Sequence, residues 1–254
     1  MSPLAISLVT FGCIFGGTML GILFHEMLPD HHLSAESKDS VKLGTGMIGM
    51  LAALVLGLLI ASAKGNFDTM SSGLKQAGAK IISLDRVMAD YGPETKDARD
   101  LLRRAVAAVI ERVWPDERTG RKEVKVFDAG VGIETIQGHL SRLTPKNDSQ
   151  RWLQSRALQL IGEIGDARWL LVEQSHESSL PMLLLFILIF WLTVIFSSFG
   201  LFSPRNATVV VVLLVCALSA AGSLFMILEL DRPLEGVIRL SDAPLRNALV
   251  LLGR

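Results

Sequence analysis

Four stretches of this chain, at positions 4–24, 43–63, 180–202 and 207–228, are each long enough to cross a bilayer and contain no charged residue. A hydrocarbon core about 30 Å thick is crossed by about 20 residues of helix. In lipid, a segment of this length can satisfy all its own backbone groups only by coiling into that helix. The chain as a whole is ordinary in charge, with 25 Lys or Arg and 25 Asp or Glu among 254 residues and a net charge of zero. Most of these charges fall between the second and third runs, so the polarity is segregated along the chain. The neutral balance argues against nucleic acid as a partner. The expected fold is all-α: a four-helix polytopic membrane protein whose soluble helical domain continues directly from the second and third spans. The first run has no basic residue before it, exceeds the usual h-region and ends in Phe24-His25-Glu26 rather than a small-x-small site. It is expected to be retained as a span rather than cleaved as a signal peptide.

Four spans put both termini and the 64–179 segment on one side and the connections 26–42 and 203–206 on the other. Near the membrane the first side carries Lys64, Lys75, Lys80, Arg168, Arg232, Arg239, Arg246 and Arg254, against Lys38, Lys42 and Arg205 on the second. The positive-inside rule therefore places the larger segment, with the N- and C-termini, in the cytoplasm. The expected layout is spans one and two over 1–63, a cytoplasmic helical domain over 64–179, spans three and four over 180–230, and a cytoplasmic amphipathic tail over 231–254.

Within 64–179 the breaks at Gly92-Pro93, Trp114-Pro115 and Pro145-Lys146 divide the sequence into four helices. The first continues the second span through Asn66 to Tyr91, with Leu74, Ile81, Leu84 and Met88 at helical spacing. The second covers 94–114, with Leu101, Leu102, Ala105, Val109 and Val113 as its apolar stripe. The third, over 123–143, is interrupted by Gly130, Gly132 and Gly138. The fourth starts at the capping residues Asn147-Asp148-Ser149 and runs through Trp152, Leu158, Ile161 and Leu170 toward the third span, where Pro181 is placed to kink it. In the tail, Ser241 or Asp242 is positioned to cap a short helix with Leu245, Ala248, Leu249 and Leu252 on its apolar side.

The sequence carries no enzyme signature: no phosphate-binding glycine loop, HExxH, paired CxxC or GxSxG. No catalytic residue, cofactor or metal is expected. Cys13 and Cys216 lie inside apolar runs, where a thiol acts as a small apolar side chain. His25, His31 and His32 cluster with Glu26 and Asp30, but on a loop and without helical ligand spacing, so a solvated loop accounts for them more simply than a metal site. The absence of Asp, Glu, Lys and Arg from all four spans disfavours proton-driven transport, which keeps such groups inside the membrane. A passive pore lined by apolar side chains does not need them.

The sharpest pattern lies in the second span, where Thr45, Gly49, Ala53, Gly57 and Ala61 follow at intervals of four; the first span offers Gly12 with Gly16 and Gly17 with Gly21. Small residues at this spacing let helix backbones approach closely. Helix packing alone is one account. The other makes Thr45, Gly49, Ala53, Gly57, Ala61 and Lys64 the lining of a pore, with Lys64 at its cytoplasmic mouth, followed one turn later by Asp68. There the lysine either attracts anions or snorkels to headgroups. Phe186 and Phe190 of the aromatic third span would matter to a pore only if they turned inward.

The stretch Ala52-Ala53-Leu54-Val55-Leu56-Gly57-Leu58-Leu59-Ile60-Ala61-Ser62-Ala63-Lys64, and the tail Glu229-Leu230-Asp231-Arg232-Pro233 with Gly236, Ile238, Ser241 and Pro244-Leu245, resemble the bacterial bestrophin-like domain family of uncharacterised membrane proteins. The resemblance covers nearly the whole chain, and the tail is its most specific part. It implies a relation to bestrophins, pentameric chloride channels with four membrane helices per subunit and a helical cytoplasmic region. Two family features do not carry over: the second span has no Phe with which to build an aromatic neck, and no acidic calcium-binding cluster is present. What the resemblance implies is a homo-oligomer, a pentamer by analogy, in a bacterial inner membrane, with lipid and small ions as partners. The expected function is an ion channel, with anion selectivity following from the analogy and its pore lined by the second span. The alternative is a non-conducting scaffold or sensor whose cytoplasmic helices recruit a partner.

Overall fold

The computed structural model describes residues 2–25, 27, 29, 35–115, 130–176, 181–204, 206–234 and 236–253. Among these described residues eight α-helices follow one another: α1 (Pro3–Phe24), α2 (Ala35–Tyr91), α3 (Lys96–Val113), α4 (Gly130–Ser141), α5 (Asp148–His176), α6 (Met182–Phe202), α7 (Ala207–Leu230) and α8 (Ala243–Leu251). No strand occurs among the described residues. The ends of the helices have local causes. Ser2 accepts the Ala5 N–H at 3.3 Å and Pro3 occupies the first turn of α1, where a missing donor costs nothing. α2 runs 57 residues without interruption and stops at Tyr91, because Gly92 takes φ +132° and Pro93 opens a short 3-10 turn before α3. Thr95 closes that corner by donating to the carbonyl oxygens of Met88 (2.5 Å) and Gly92 (2.8 Å). Pro181 lies in extended conformation at the N-terminus of α6. The 123–129 part of the expected third soluble helix lies outside the described residues; α4 accounts for the rest.

The chain divides into two compact units, Met1–Phe67 with Ser178–Ile238, and Asp68–Glu177 with Arg239–Arg254. The first holds α1, α6, α7 and the first part of α2. Its core includes Ile14, Ala52, Leu59, Ala63, Leu188, Phe196, Ala217 and Leu224. Helices α1 and α6 approach closely at Gly17, Gly21 and Gly200, backbone to backbone at the last two. A Cβ on Gly21 would clash with Ser197 O and come within 2.8 Å of Leu201 N; one on Gly200 would clash with Thr18 O; one on Gly17 would come within 2.6 Å of Ser197 Oγ. Hydroxyls inside the spans are satisfied within their own helix: Thr10, Thr18, Thr193, Ser197, Ser219 and Ser223 each donate to the carbonyl four residues back. At the end of α7 the buried Glu229 carboxylate accepts the N–H groups of Val237 (2.5 Å) and Ile238 (3.4 Å). Gly236, immediately before them, sits at φ +88°, and a Cβ there would strike that same carboxylate.

The second unit packs the later part of α2 with α3, α4, α5 and α8 around Leu84, Met88, Leu102, Ile136, Leu140, Ile161 and Ala248. The expected α2 stripe is buried throughout, at Leu74, Ile81, Leu84 and Met88. On α3 the buried line is Ala98, Leu102, Val106 and Ile110, with Leu101 and Val109 at its flank. The exposed Trp152 and Leu170 place themselves outside the α5 core line of Leu153, Ala157, Leu160, Ile161 and Ile164. Asp85, 2% exposed, is the polar centre of this unit: Arg99 donates to both its oxygens at 2.7 and 2.9 Å, and the Gly253 N–H adds a third bond at 3.2 Å. The tail is fixed at two further points. Trp114 Nε1 donates to Leu240 O at 2.7 Å, and Gly78 leaves room for Pro244, whose carbonyl oxygen would lie 3.0 Å from a Cβ at that position. Leu245, Ala248 and Leu252 bury the apolar side of α8, each larger side chain contributing about 1.5–3 kcal/mol. At the edge of the unit Lys146 Nζ meets Glu94 Oε1 at 2.7 Å, and this bond holds the Glu94 carboxyl below its ordinary range and the Lys146 ammonium above its own.

Candidate functional site

The membrane part of α2 has a covered and an uncovered side. Ile48, Ala52, Val55, Leu56, Leu59, Ala63 and Phe67 recur at intervals of three and four and pack into the core of their unit. The small-residue pattern is spaced differently. Four residues of α-helix turn through about 400°, so a strict interval of four advances about 40° at each step. Thr45 and Gly49 accordingly lie half-buried at the edge of the covered side, and Ala53, Gly57 and Ala61 wind out to the exposed side. A Cβ on Gly49 or Gly57 would meet nothing within 4 Å. Lys64 is exposed at the end of the same face, its Nζ 5.4 Å from the centre of the Phe67 ring. The Thr45 hydroxyl is used locally, donating to Val41 O at 2.8 Å.

Beside these residues the uncovered side carries a ridge of large apolar side chains that the small-residue pattern does not announce: Leu43, Met47, Met50, Leu54 and Leu58. Met50 and Leu54 are 78% and 72% exposed, so the rest of the chain covers almost none of them. Their spacing of four, three, four and four holds them on one face. The span is apolar all round, and hydrophobic periodicity therefore could not separate this ridge from the packed side.

The two glycine patterns behave in opposite ways. In α1, Gly17 and Gly21 are closed against α6, whereas Gly12 and Gly16 meet nothing; in α2 the glycines of the stripe stand open. Phe186 and Phe190 point away from the subunit core. His25 caps α1, with Nδ1 2.8 Å from Leu201 O, while Glu26, Asp30, His31 and His32 lie outside the described residues. Among the described residues no three His, Cys, Asp or Glu side chains come together as a metal site. Cys13 and Cys216 are free and exposed.

Among the described residues, four helices long and apolar enough to cross a bilayer, with serine and threonine hydroxyls turned back onto their own backbones, point to a polytopic α-helical membrane protein. The family follows from the sequence as a whole. Residues 12–245 match the Bestrophin-like domain, and the chain belongs to that family. The fold is also similar to the crystal structure of a bacterial bestrophin homologue from Klebsiella pneumoniae carrying a point mutation, with a TM-score of 0.65 at 14% identity over 97% of this chain and 99% of that one. No curated protein matches the sequence. The expected all-helical fold and the resemblance are both borne out.

Proposed function

We propose that this chain is one subunit of a homo-oligomeric channel in a bacterial inner membrane, passing anions through a pore lined by α2. The observation that carries this reading is the uncovered face of α2, with Gly57 and Ala61 exposed, nothing within 4 Å of a Cβ at Gly57, and Met50 and Leu54 bare beside them. A filled four-helix core leaves no room for water inside one subunit, so an aqueous path has to run between copies. Bestrophins, the channels to which the family is related, supply the analogy for five copies and for chloride. The runs 4–24, 43–63, 180–202 and 207–228 hold no Asp, Glu, Lys or Arg, which suits passive conduction, and rings of Met50, Leu54 and Leu58 would form a constriction that gates by dewetting. At the mouth, a ring of Lys64 ammonium groups would raise the local anion concentration. The termini and the helical segment after Lys64 face the cytoplasm by the distribution of Lys and Arg.

The test is conductance of the purified protein in planar bilayers, with reversal potentials in chloride gradients. A chloride-selective current that Lys64→Glu shifts toward cations supports the reading. No conductance, together with a monomer or dimer in mild detergent, overturns it and favours the scaffold.

A further inference from the structure

We propose that a cavity formed by α2, α6 and α7, at the ends joined by the short connections, binds a membrane phospholipid of net negative charge, holding its phosphate at the rim and the upper part of one acyl chain below. The cavity measures about 390 Å³, within the range of small-molecule sites. Its polar and apolar groups are sorted by depth. Lys42 is the last charged residue before the uncharged run of α2, Ser203 directly follows α6, and Thr208 is the second residue of α7. All three therefore sit at the level where the spans end. At 1.5 Å of rise per residue, Val212 and Leu213 lie roughly 6–8 Å further in than Thr208 along α7, and Phe199 is almost a turn inside the end of α6. The wall at that depth is hydrocarbon apart from the Ser198 hydroxyl.

Phe199 and Val212 are 48% and 54% exposed, so the trough is open sideways along the spans, while the buried Leu213 closes its back. A soluble metabolite would need several polar partners at the bottom, and the described lining offers there only the Ser198 hydroxyl among Phe199, Val212 and Leu213. An acyl chain needs only apolar walls, and without one those walls would lack close-packed neighbours. The occupant's charge follows from the rim. Lys42 is the one charged residue of the described lining, and its partner Asp39 stands 3.9 Å away with both side chains more than 70% exposed, a pairing too loose to neutralise it. An ammonium above an apolar trough, flanked by hydroxyls that can donate to phosphate oxygens, is complementary to an anionic headgroup.

The experiment is native mass spectrometry of the full-length protein in mild detergent, titrated with phosphatidylglycerol, phosphatidylcholine or inorganic phosphate. Wild type is expected to retain one phosphatidylglycerol per subunit in preference to phosphatidylcholine. Lys42→Gln should lower that preference about fivefold, the factor one lysine near an anionic surface is worth, and Val212→Trp should reduce retention of both lipids by filling the trough. Val211→Trp, outside the lining, serves as the control for an added tryptophan. Lys42 is exposed, so its variant remains informative even if Val212→Trp fails to fold. The proposal is overturned if Lys42→Gln retains the wild-type preference, if folded Val212→Trp binds lipid as Val211→Trp does, or if inorganic phosphate displaces the lipid and so marks a site for a soluble anion.

Discussion

Gly21→Ala should destabilise the subunit by about 2 kcal/mol, although it adds a single methyl group and a better helix former. The new Cβ would lie 2.8 Å from Leu201 N and closer still to Ser197 O, against an ordinary contact that begins at 3.4 Å. Both obstacles are backbone atoms of α6 and cannot rotate aside. The α1–α6 seam must therefore open by at least about 0.6 Å, a gap at which packed atoms forfeit a quarter to a half of their attraction, and overpacking of this kind costs about 1–3 kcal/mol. Gly200→Ala should cost a similar amount, because its Cβ meets Thr18 O across the same seam. The double variant should fall short of the sum, since a seam opened once accommodates the second methyl. Gly57→Ala, with nothing within 4 Å, should stay within about 0.5 kcal/mol of wild type in an isolated subunit. Reversible unfolding in mixed micelles, followed by tryptophan fluorescence, measures all four. A Gly21→Ala variant as stable as wild type, or strictly additive losses, would refute the close-contact argument.

Asp85→Ala removes the acceptor of a bidentate Arg99 pair and of the Gly253 N–H, leaving a cation without its partner. With Arg99 still partly exposed, the cost should lie near the low end for a broken buried pair, about 3 kcal/mol by thermal unfolding, and a loss below 1 kcal/mol would contradict the role given to Asp85. The Glu94–Lys146 bond predicts a pH dependence with two limbs. Glu94 has a lowered folded pKa, so its contribution is present above the ordinary carboxyl range and lost as pH falls through the folded value. Lys146 has a raised one, so its contribution is present below the ordinary lysine range and lost as pH rises through the folded value. Glu94→Gln should flatten both limbs in a plot of Tm against pH, and an unchanged profile would remove this pair from the account.

The spans are legible in the sequence because length and absence of charge are enough to specify them: the run 207–228 becomes Ala207–Leu230, and 4–24 becomes Pro3–Phe24. The break after Tyr91 is equally plain, since Gly92-Pro93 leaves a helix no way to continue. On α3, neighbouring alanines, valines and leucines offer several overlapping apolar lines, and only packing selects Ala98, Leu102, Val106 and Ile110. The Asp85 centre is invisible for a different reason. One aspartate among many charged residues in the later part of α2 carries no local mark of burial, and its partners lie 14 and 168 residues away. The direction of each α2 face is likewise not written in a span that is apolar on every side. The interval of four is visible there, but not that it winds from a half-buried edge to open surface.

The loop after α7 binds two of its residues to a shared fate. Glu229 can reach the amides of Val237 and Ile238 only because position 236 has no side chain, and Gly236 is held in its left-handed conformation by the carboxylate it makes room for. Any larger residue at 236 evicts the carboxylate, and a shorter one at 229 strands two donors. Related chains should therefore keep both residues or exchange both, and a lone change at either position marks a loop that has taken another path.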